Sequence, residues 1–463
     1  MKRKKCLFAI VMAICCLGFI ALPQAMAANA KFDMSKFSDM SDFDPNNPVI
    51  PTGDTIKIAV VASFSGPAAS VGPLYWAAAL WAVQDINKRG GIMVDGKKKK
   101  IELIKANHES KPAITKKVCE RMILQEKVDI LIGTNGSNNM KIINQVANKY
   151  KVIAMDFIAL SDELYDAKNF TRYSFMTCFQ TSQIGRAAAY YYGQIRKKET
   201  KFYVLCQDYL FGHSLAKGFI EGMKEYYPSA EIVGEDYHKL FLTDFAPYLT
   251  KIKASGAEVI YTGDWIPDAA ALVKQARQMG INLPFAHLFL DDPVFLTEVG
   301  IEASKGLVKV SQYGQTNPTF KNDGYIKYVK AWNDQWKKWS APYNTVRYKW
   351  PTGSTLGSVT QQVYWLLSVV ERAGSTDPEK IIKVWEGDSY EMANGKVISM
   401  RACDHKAIQD LHIFEQVPPD EQKQSMNIPP YMWFDDCSFD GPVGVVPAAK
   451  IMPYMDPAQE RCK

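Results

Sequence analysis

Histidine-based metal or proton-transfer chemistry would have to draw on His108, His213, His238, His287, His405 and His412, and no two of these stand in His-Glu-x-x-His or a comparable spacing. Cys403, His405 and His412, within "CDHKAIQDLH", come nearest to a ligand set, and a surface turn accounts for them better than a metal. No strand-like run leads into Gly-x4-Gly-Lys-Ser/Thr or Gly-x-Gly-x-x-Gly, and Gly-x-Ser-x-Gly is absent, so phosphate loop, dinucleotide fold and esterase elbow all lack support. An exported hydrolase using Asp291 and Asp292, or a serine, stays open as an alternative, although no acid/base grouping accompanies them. What remains is binding chemistry. Apolar runs end in "SFSGPAASVG" (63–72), "IGTNGSNN" (132–139), "MDFIALSDEL" (155–164), "CQDYLFGHS" (206–214), "TGDWIPD" (262–268) and "LFLDDP" (288–293), each rich in Ser, Gly, Asn or Asp. Loops and helix N-termini at such places offer free N–H groups to a ligand.

The elements that must position these loops alternate. Strand-like "TIKIAVVASF" precedes a helix in which Trp76, Leu80, Val83 and Ile86 recur at helical spacing before Gly90-Gly91. Helices over 112–126 and 138–150 flank "VDILIGT", and "KVIAMDF" follows. After Thr171 the alternation starts again, with helices over 182–196, 214–227, 244–254 and 267–279 between apolar runs. The pattern predicts an α/β chain of two lobes with parallel sheets covered on both faces. A length of 463 residues, beyond what one core usually supports, agrees. Past 307 the reading is less regular: a strand "GLVKVSQYG", helices over 322–339, 354–373 and 377–386, then two strands around a turn. Residues 28–53, polar and punctuated by proline, read as a loosely docked arm.

Lys2, Arg3, Lys4 and Lys5 supply much of the formal net charge of +6, which argues against a nucleic-acid partner for the rest. They precede an apolar stretch from Cys6 to Leu22 and a small-x-small site, Ala25-Met26-Ala27. That order reads as a secretory signal peptide over 1–27, cleaved after Ala27, with an uncleaved anchor as the alternative. No residue pattern for lipid attachment precedes Cys15 or Cys16, so a soluble periplasmic protein, not membrane-embedded, is expected. Cys119, Cys178, Cys206, Cys403, Cys437 and Cys462 remain in an oxidising compartment. Spacing does not give connectivity; a bridge among the last three is expected, with Cys403–Cys437 the candidate pair.

"SFSGPAASVGPLYWAAALWAVQDINKRGGI" resembles the opening of type I periplasmic binding proteins of the branched-chain amino acid family. "VDILIGTNGSNN" followed by "NQVANKYKVIAMD", then "CQDYLFGHSLAKGF" and "AEVIYTGDWIPDAAALVKQARQMG", resemble later motifs of the family in order. The resemblance implies two lobes joined by three crossover strands, near 171–176, 305–310 and 390–398. Lobe 1 would comprise 54–174 plus 308–392, lobe 2 175–307 plus 393–450, and 451–463 a tail. It further implies the monomeric binding component of an ABC importer: no enzyme, no cofactor, and a small organic solute delivered to permease subunits. A soluble sensor docking on a separate receptor is the other reading of the same fold.

By that resemblance the first lobe holds a carboxylate through Ser137, beside Asn138, and through a second hydroxyl where Leu160 stands, with Ser161 adjacent. Ser65 places the opening turn, and Val71 stands where an aromatic ring is frequent, leaving room for a larger solute. Tyr209, Phe211, Trp265 and Phe289 on the second lobe, with Trp76 and Phe157 on the first, favour flat apolar groups. Asp264, Asp291 and Asp292 are the candidates for an ammonium partner, each also a plausible helix cap.

Overall fold

The computed structural model describes residues 31–32, 36–265, 267–287, 289, 293–312, 323–348, 358–392, 395–419 and 439–463. The leader 1–27, Asp291, Asp292 and Cys437 lie outside the described residues.

Strand β1 (Ile56–Ala62) shows why a continuous apolar run becomes an interior parallel strand. Ile58 to Ala62 are all fully buried, and β1 pairs in parallel with β4 (Ile101–Asn107) on one side and β5 (Ile130–Gly133) on the other. A strand covered on both faces needs no polar alternation. Strands β6 (Ile153–Asp156) and β7 (Ser174–Met176) complete a five-stranded parallel sheet, β4-β1-β5-β6-β7. Between β1 and β4 the chain makes the hairpin β2 (Ile92–Val94) and β3 (Lys97–Lys99), which puts the lysine run on an exposed tip.

The helix Gly72–Lys88 is buried almost all round, because it packs beneath the sheet and also against the helix Ser358–Ala373. That is the expected place for a helix with apolar residues on every face.

A second sheet runs, in order, β17 (Phe439–Val446), β16 (Leu411–Val417), β12 (Val308–Ser311), β11 (Phe285–His287), β10 (Val259–Tyr261), β8 (Lys201–Gln207) and β9 (Glu231–His238). Its parallel part runs from β8 and β9 through β10 and β11 to β12. Antiparallel strands β16 and β17 close that side. The chain therefore consists of two α/β lobes around two largely parallel sheets.

Three details differ from the sequence reading. Val308–Ser311, expected to open the return to lobe 1, is paired into the second sheet, where its buried residues continue the parallel core. The stretch expected to be two strands around a turn is three short pieces of structure: β14 (Val397–Met400) and β15 (Ala407–Ile408) join β13 (Ser389–Glu391) in a small sheet, and β16 stands apart in the large one. A single bridge from Met176 to Lys406 links the small sheet to the end of β7, so the third passage into the second sheet falls at 408–411. Finally, the N-terminal arm is firmly docked. Phe43 is buried with its ring 5.0 Å from Trp81 and 5.4 Å from Trp339, and the Trp339 indole donates to the Phe43 carbonyl at 2.7 Å.

The candidate bridge Cys403–Cys437 is overturned. Cys403 is joined to Cys462, 59 residues away. The path of the tail, rather than sequence proximity, decides which thiols meet.

Candidate ligand-binding cleft

A cleft of about 620 Å³, open solvent included, lies between the lobes. Its walls are the loops at the carboxyl ends of parallel strands, as open α/β sheets require. From the first lobe come Val71, Leu74 and Tyr75 at the start of the helix Gly72–Lys88, Asn135-Gly136-Ser137 after β5, and Ile158-Ala159-Leu160 after β6. From the second come Tyr209 and Phe211 after β8, Trp265 after β10 and Phe289 after β11.

The opening loop is held tightly enough to fix Val71. A Cβ on Gly72 would lie 2.2 Å from the Ser63 carbonyl, so only glycine lets the helix start this close to the end of β1. Asn135 locks the same loop from the side: its Oδ1 accepts from the Ser63 N–H at 3.2 Å and its Nδ2 donates to Ser63 Oγ at 3.0 Å.

The helix Ser137–Tyr150 starts at the cleft, after Gly136 at φ 84°, where L side chains are strained. Its carbonyl at Gly136 accepts from the N–H groups of Asn139 and Met140, while the N–H groups of Ser137 and Asn138 precede any intrahelical acceptor. Ser161 donates its hydroxyl to Ser137 Oγ at 2.7 Å, which leaves the Ser137 proton for another acceptor. Two main-chain donors, one hydroxyl and the positive end of a helix thus converge, an arrangement suited to a carboxylate. The 158–160 loop is shaped by Asp156, whose Oδ1 accepts from Ile158 N at 3.2 Å and Ala159 N at 2.8 Å. Burial pushes the Asp156 carboxyl well above the usual range, against the lowering effect of the Ala159 and Ile158 N–H groups.

The second-lobe wall is aromatic. Tyr209 and Phe211 have ring centroids 5.7 Å apart, Phe211 and Phe289 6.2 Å, and the Trp265 indole donates to Tyr209 Oη at 3.1 Å. Among the described residues, the lining carries no charged side chain.

Of the residues singled out in the sequence, the cleft brings together Val71, Ser137, Leu160, Tyr209, Phe211, Trp265 and Phe289. The others lie elsewhere. Ser65 is bound to Asn107, its Oγ accepting from Asn107 Nδ2 at 2.7 Å, on an exposed turn. Trp76 points the other way, donating to the Pro45 carbonyl at 3.0 Å under the Lys105 ammonium. Phe157 is wholly buried behind Tyr75, their centroids 5.1 Å apart. Asn138 is exposed on its helix, and Ser161 acts on Ser137 rather than lining the space.

Asp264 is fully buried: both its oxygens face His238 Nε2, at 3.0 and 2.9 Å, and Oδ1 accepts from Thr262 at 2.9 Å. Burial would lower the His238 pKa, but contact with Asp264 outweighs it and the net shift is upward. The carboxylate expected to meet an ammonium is thus engaged behind the wall. Asp291 lies outside the described residues.

Leu74, Tyr75, Asn135, Gly136, Ile158 and Ala159 were missed. For Leu74 and Tyr75 a signal existed, because they follow Val71 by three and four residues and so share its helix face.

The Cys403, His405, His412 group does not come together: Cys403 sits on a half-buried turn in its disulfide, while the two histidines are in the interior. His405 is buried, stacked on Phe175 at 4.0 Å and bonded to Glu386 at 2.9 Å, and His412 is buried on β16. Among the described residues, the one cluster compact enough for a metal is Cys403, Asp404 and Cys462, and its two sulfurs are bonded to each other.

Comparison with known proteins agrees with this architecture. An amino acid binding protein of Pseudomonas aeruginosa is 29% identical over 253 residues, 54% of this chain and 63% of that protein, so the match spans under two thirds of that relative's length. A periplasmic binding protein from Burkholderia mallei has the same fold, with a TM-score of 0.72 at 21% identity over 88% of this chain and 98% of its own. So does a solute-binding protein of an ABC transporter from Rhodopseudomonas palustris, solved with 3,4-dihydroxybenzoic acid, with a TM-score of 0.70 at 19% identity over 86% and 98% of the two chains. The family model described as periplasmic binding protein matches residues 55–422, most of the sequence, and the chain belongs to that family.

Proposed function

We propose that this protein is the solute-binding component of an ABC importer, which clamps one small organic molecule between its lobes and hands it to membrane permease subunits without chemical change. The observation that carries the reading is the division of the cleft: main-chain and hydroxyl donors at a helix start on one wall, mutually tilted aromatic rings on the other. A solute with a carboxylate at one end and a flat apolar or aromatic body satisfies both walls. The amino acid binding relative and the dihydroxybenzoate complex are consistent with such a solute.

The leader and the family support export to the periplasm. No helix among the described residues is long and apolar enough to cross a membrane. Tyr209, Phe211, Trp265, Phe289, Val71 and Ser137 are the residues proposed to meet the solute.

A thermal-shift panel of amino acids, aromatic monocarboxylates and their amides tests the proposal. At a concentration 100 times Kd, binding to the folded state alone adds about 2.7 kcal/mol of stability, so at least one panel member raises the melting temperature of the mature chain. A melting temperature that no member moves contradicts the reading.

A further inference from the structure

We infer that residues 447–463 form an additional tether between the lobes, closed covalently by Cys403–Cys462, which limits how far the lobes separate. This goes beyond the binding reading and needs no knowledge of the solute.

The segment leaves β17, the outer strand of the second sheet, and runs over that lobe's helices. The Met452 carbonyl accepts from Arg186 Nη1 at 3.1 Å, the Lys450 carbonyl accepts from the Tyr226 hydroxyl, and Tyr454 N donates to Ser182 Oγ at 3.1 Å. It then crosses to the first lobe. Asp456 Oδ2 accepts from Ala167 N at 2.9 Å, Arg461 donates to Glu386 at 2.6 Å and lies over the Phe170 ring, and Cys462 is bonded to Cys403.

The crossing point is built, not merely touched. Lys406, whose side chain is 0% exposed, sits 3.4 Å from Asp162 and donates to the Tyr454 carbonyl at 2.9 Å. Arg401 donates to the carbonyls of Pro453 and Tyr454 at 3.0 and 3.1 Å while paired to Asp404. A buried cation held by a carboxylate and a main-chain carbonyl from two different segments is costly to separate.

The tether spans a gap between the lobes. Tyr454 and Asp456 border a second cavity, about 520 Å³, with Asp162 and Glu163 of the first lobe on one side and Ser214 and Lys217 of the second on the other. Rotation of one lobe against the other changes the width of this space, and a chain pinned on both sides restricts that change. The free protein therefore spends less of its time wide open, and a larger fraction is ready to bind.

Small-angle X-ray scattering of the ligand-free mature chain tests this. The double variant Cys403→Ser, Cys462→Ser shows a larger radius of gyration than the oxidised wild type. The pair Asp456→Asn, Arg461→Ala, which keeps the disulfide, shows a smaller increase of the same sign. Should the serine variant lose its fold, mild reduction of the wild type, with its far-ultraviolet dichroism unchanged, gives the same readout. A radius that is unchanged or smaller once the bridge is open overturns the inference, whether or not any solute binds.

Discussion

At the scale of single residues, Ser137 carries the sharpest expectation. Its hydroxyl receives a proton from Ser161 and keeps its own, beside the free N–H groups of its helix. Ser137→Ala removes one charge-assisted hydrogen bond, about 1.5 kcal/mol or more. Titration calorimetry with the strongest carboxylate of the panel then shows affinity falling about tenfold. Asp268 gives a test in pH. Burial holds its carboxyl at about 6, above its ordinary 3.8, against the lowering effect of the Gln207 amide at 2.7 Å. The folded chain binds this proton more tightly than the unfolded one, so its contribution is fully present below pH 3.8 and is lost as pH rises through about 6. Asp268→Asn is therefore expected to flatten the fall in melting temperature of the wild type between about pH 4 and pH 7. Legibility was uneven at this scale. Val71 and the second-lobe aromatic residues could be placed because each follows a strand-like run, whereas Trp76 and Phe157 turn away from the cleft. Asp264 could not, because its partner His238 is 26 residues away and reaches it only across neighbouring strands.

At the scale of elements, the apolar runs and their alternation with helices were readable because burial on both faces leaves no polar period to misread. The helix starting at Ser137 and that over Asp268–Gln278 fall within a residue or so of where periodicity puts them. What could not be read was which short strands pair, since β13, β14 and β15 have only three, four and two residues. The arm was misjudged for another reason: its polar composition hides two anchors, Met40 and Phe43, both buried. Phe43→Ala empties a space among Trp81, Trp332 and Trp339 and is expected to cost about 3–5 kcal/mol, read as a lower denaturation midpoint. The disulfide was misassigned because pairing depends on where the tail runs, which no local pattern encodes. Closing 59 residues, it contributes about 4 kcal/mol in the chain-entropy account, so a reduced sample melts at a lower temperature.

At the scale of the whole molecule, two sheets present their strand ends to a shared cleft, and neither lobe alone can enclose a solute. The two-lobed plan followed from length and alternation, and the cleft from the rule that ligands sit beyond strand ends. The chemistry of its walls took the folded chain to see, because it turned Asp264 away and brought Tyr75 and Ile158 in. The central claim is that this enclosure binds one small molecule reversibly. Calorimetric titration of the mature chain with the panel solute of largest thermal shift tests it most directly. One site per chain is expected, with a Kd of about 1 μM or tighter, equivalent to about −8 kcal/mol, and recovery of the solute unchanged. An absence of saturable heat, or recovery of a chemically altered solute, would contradict it.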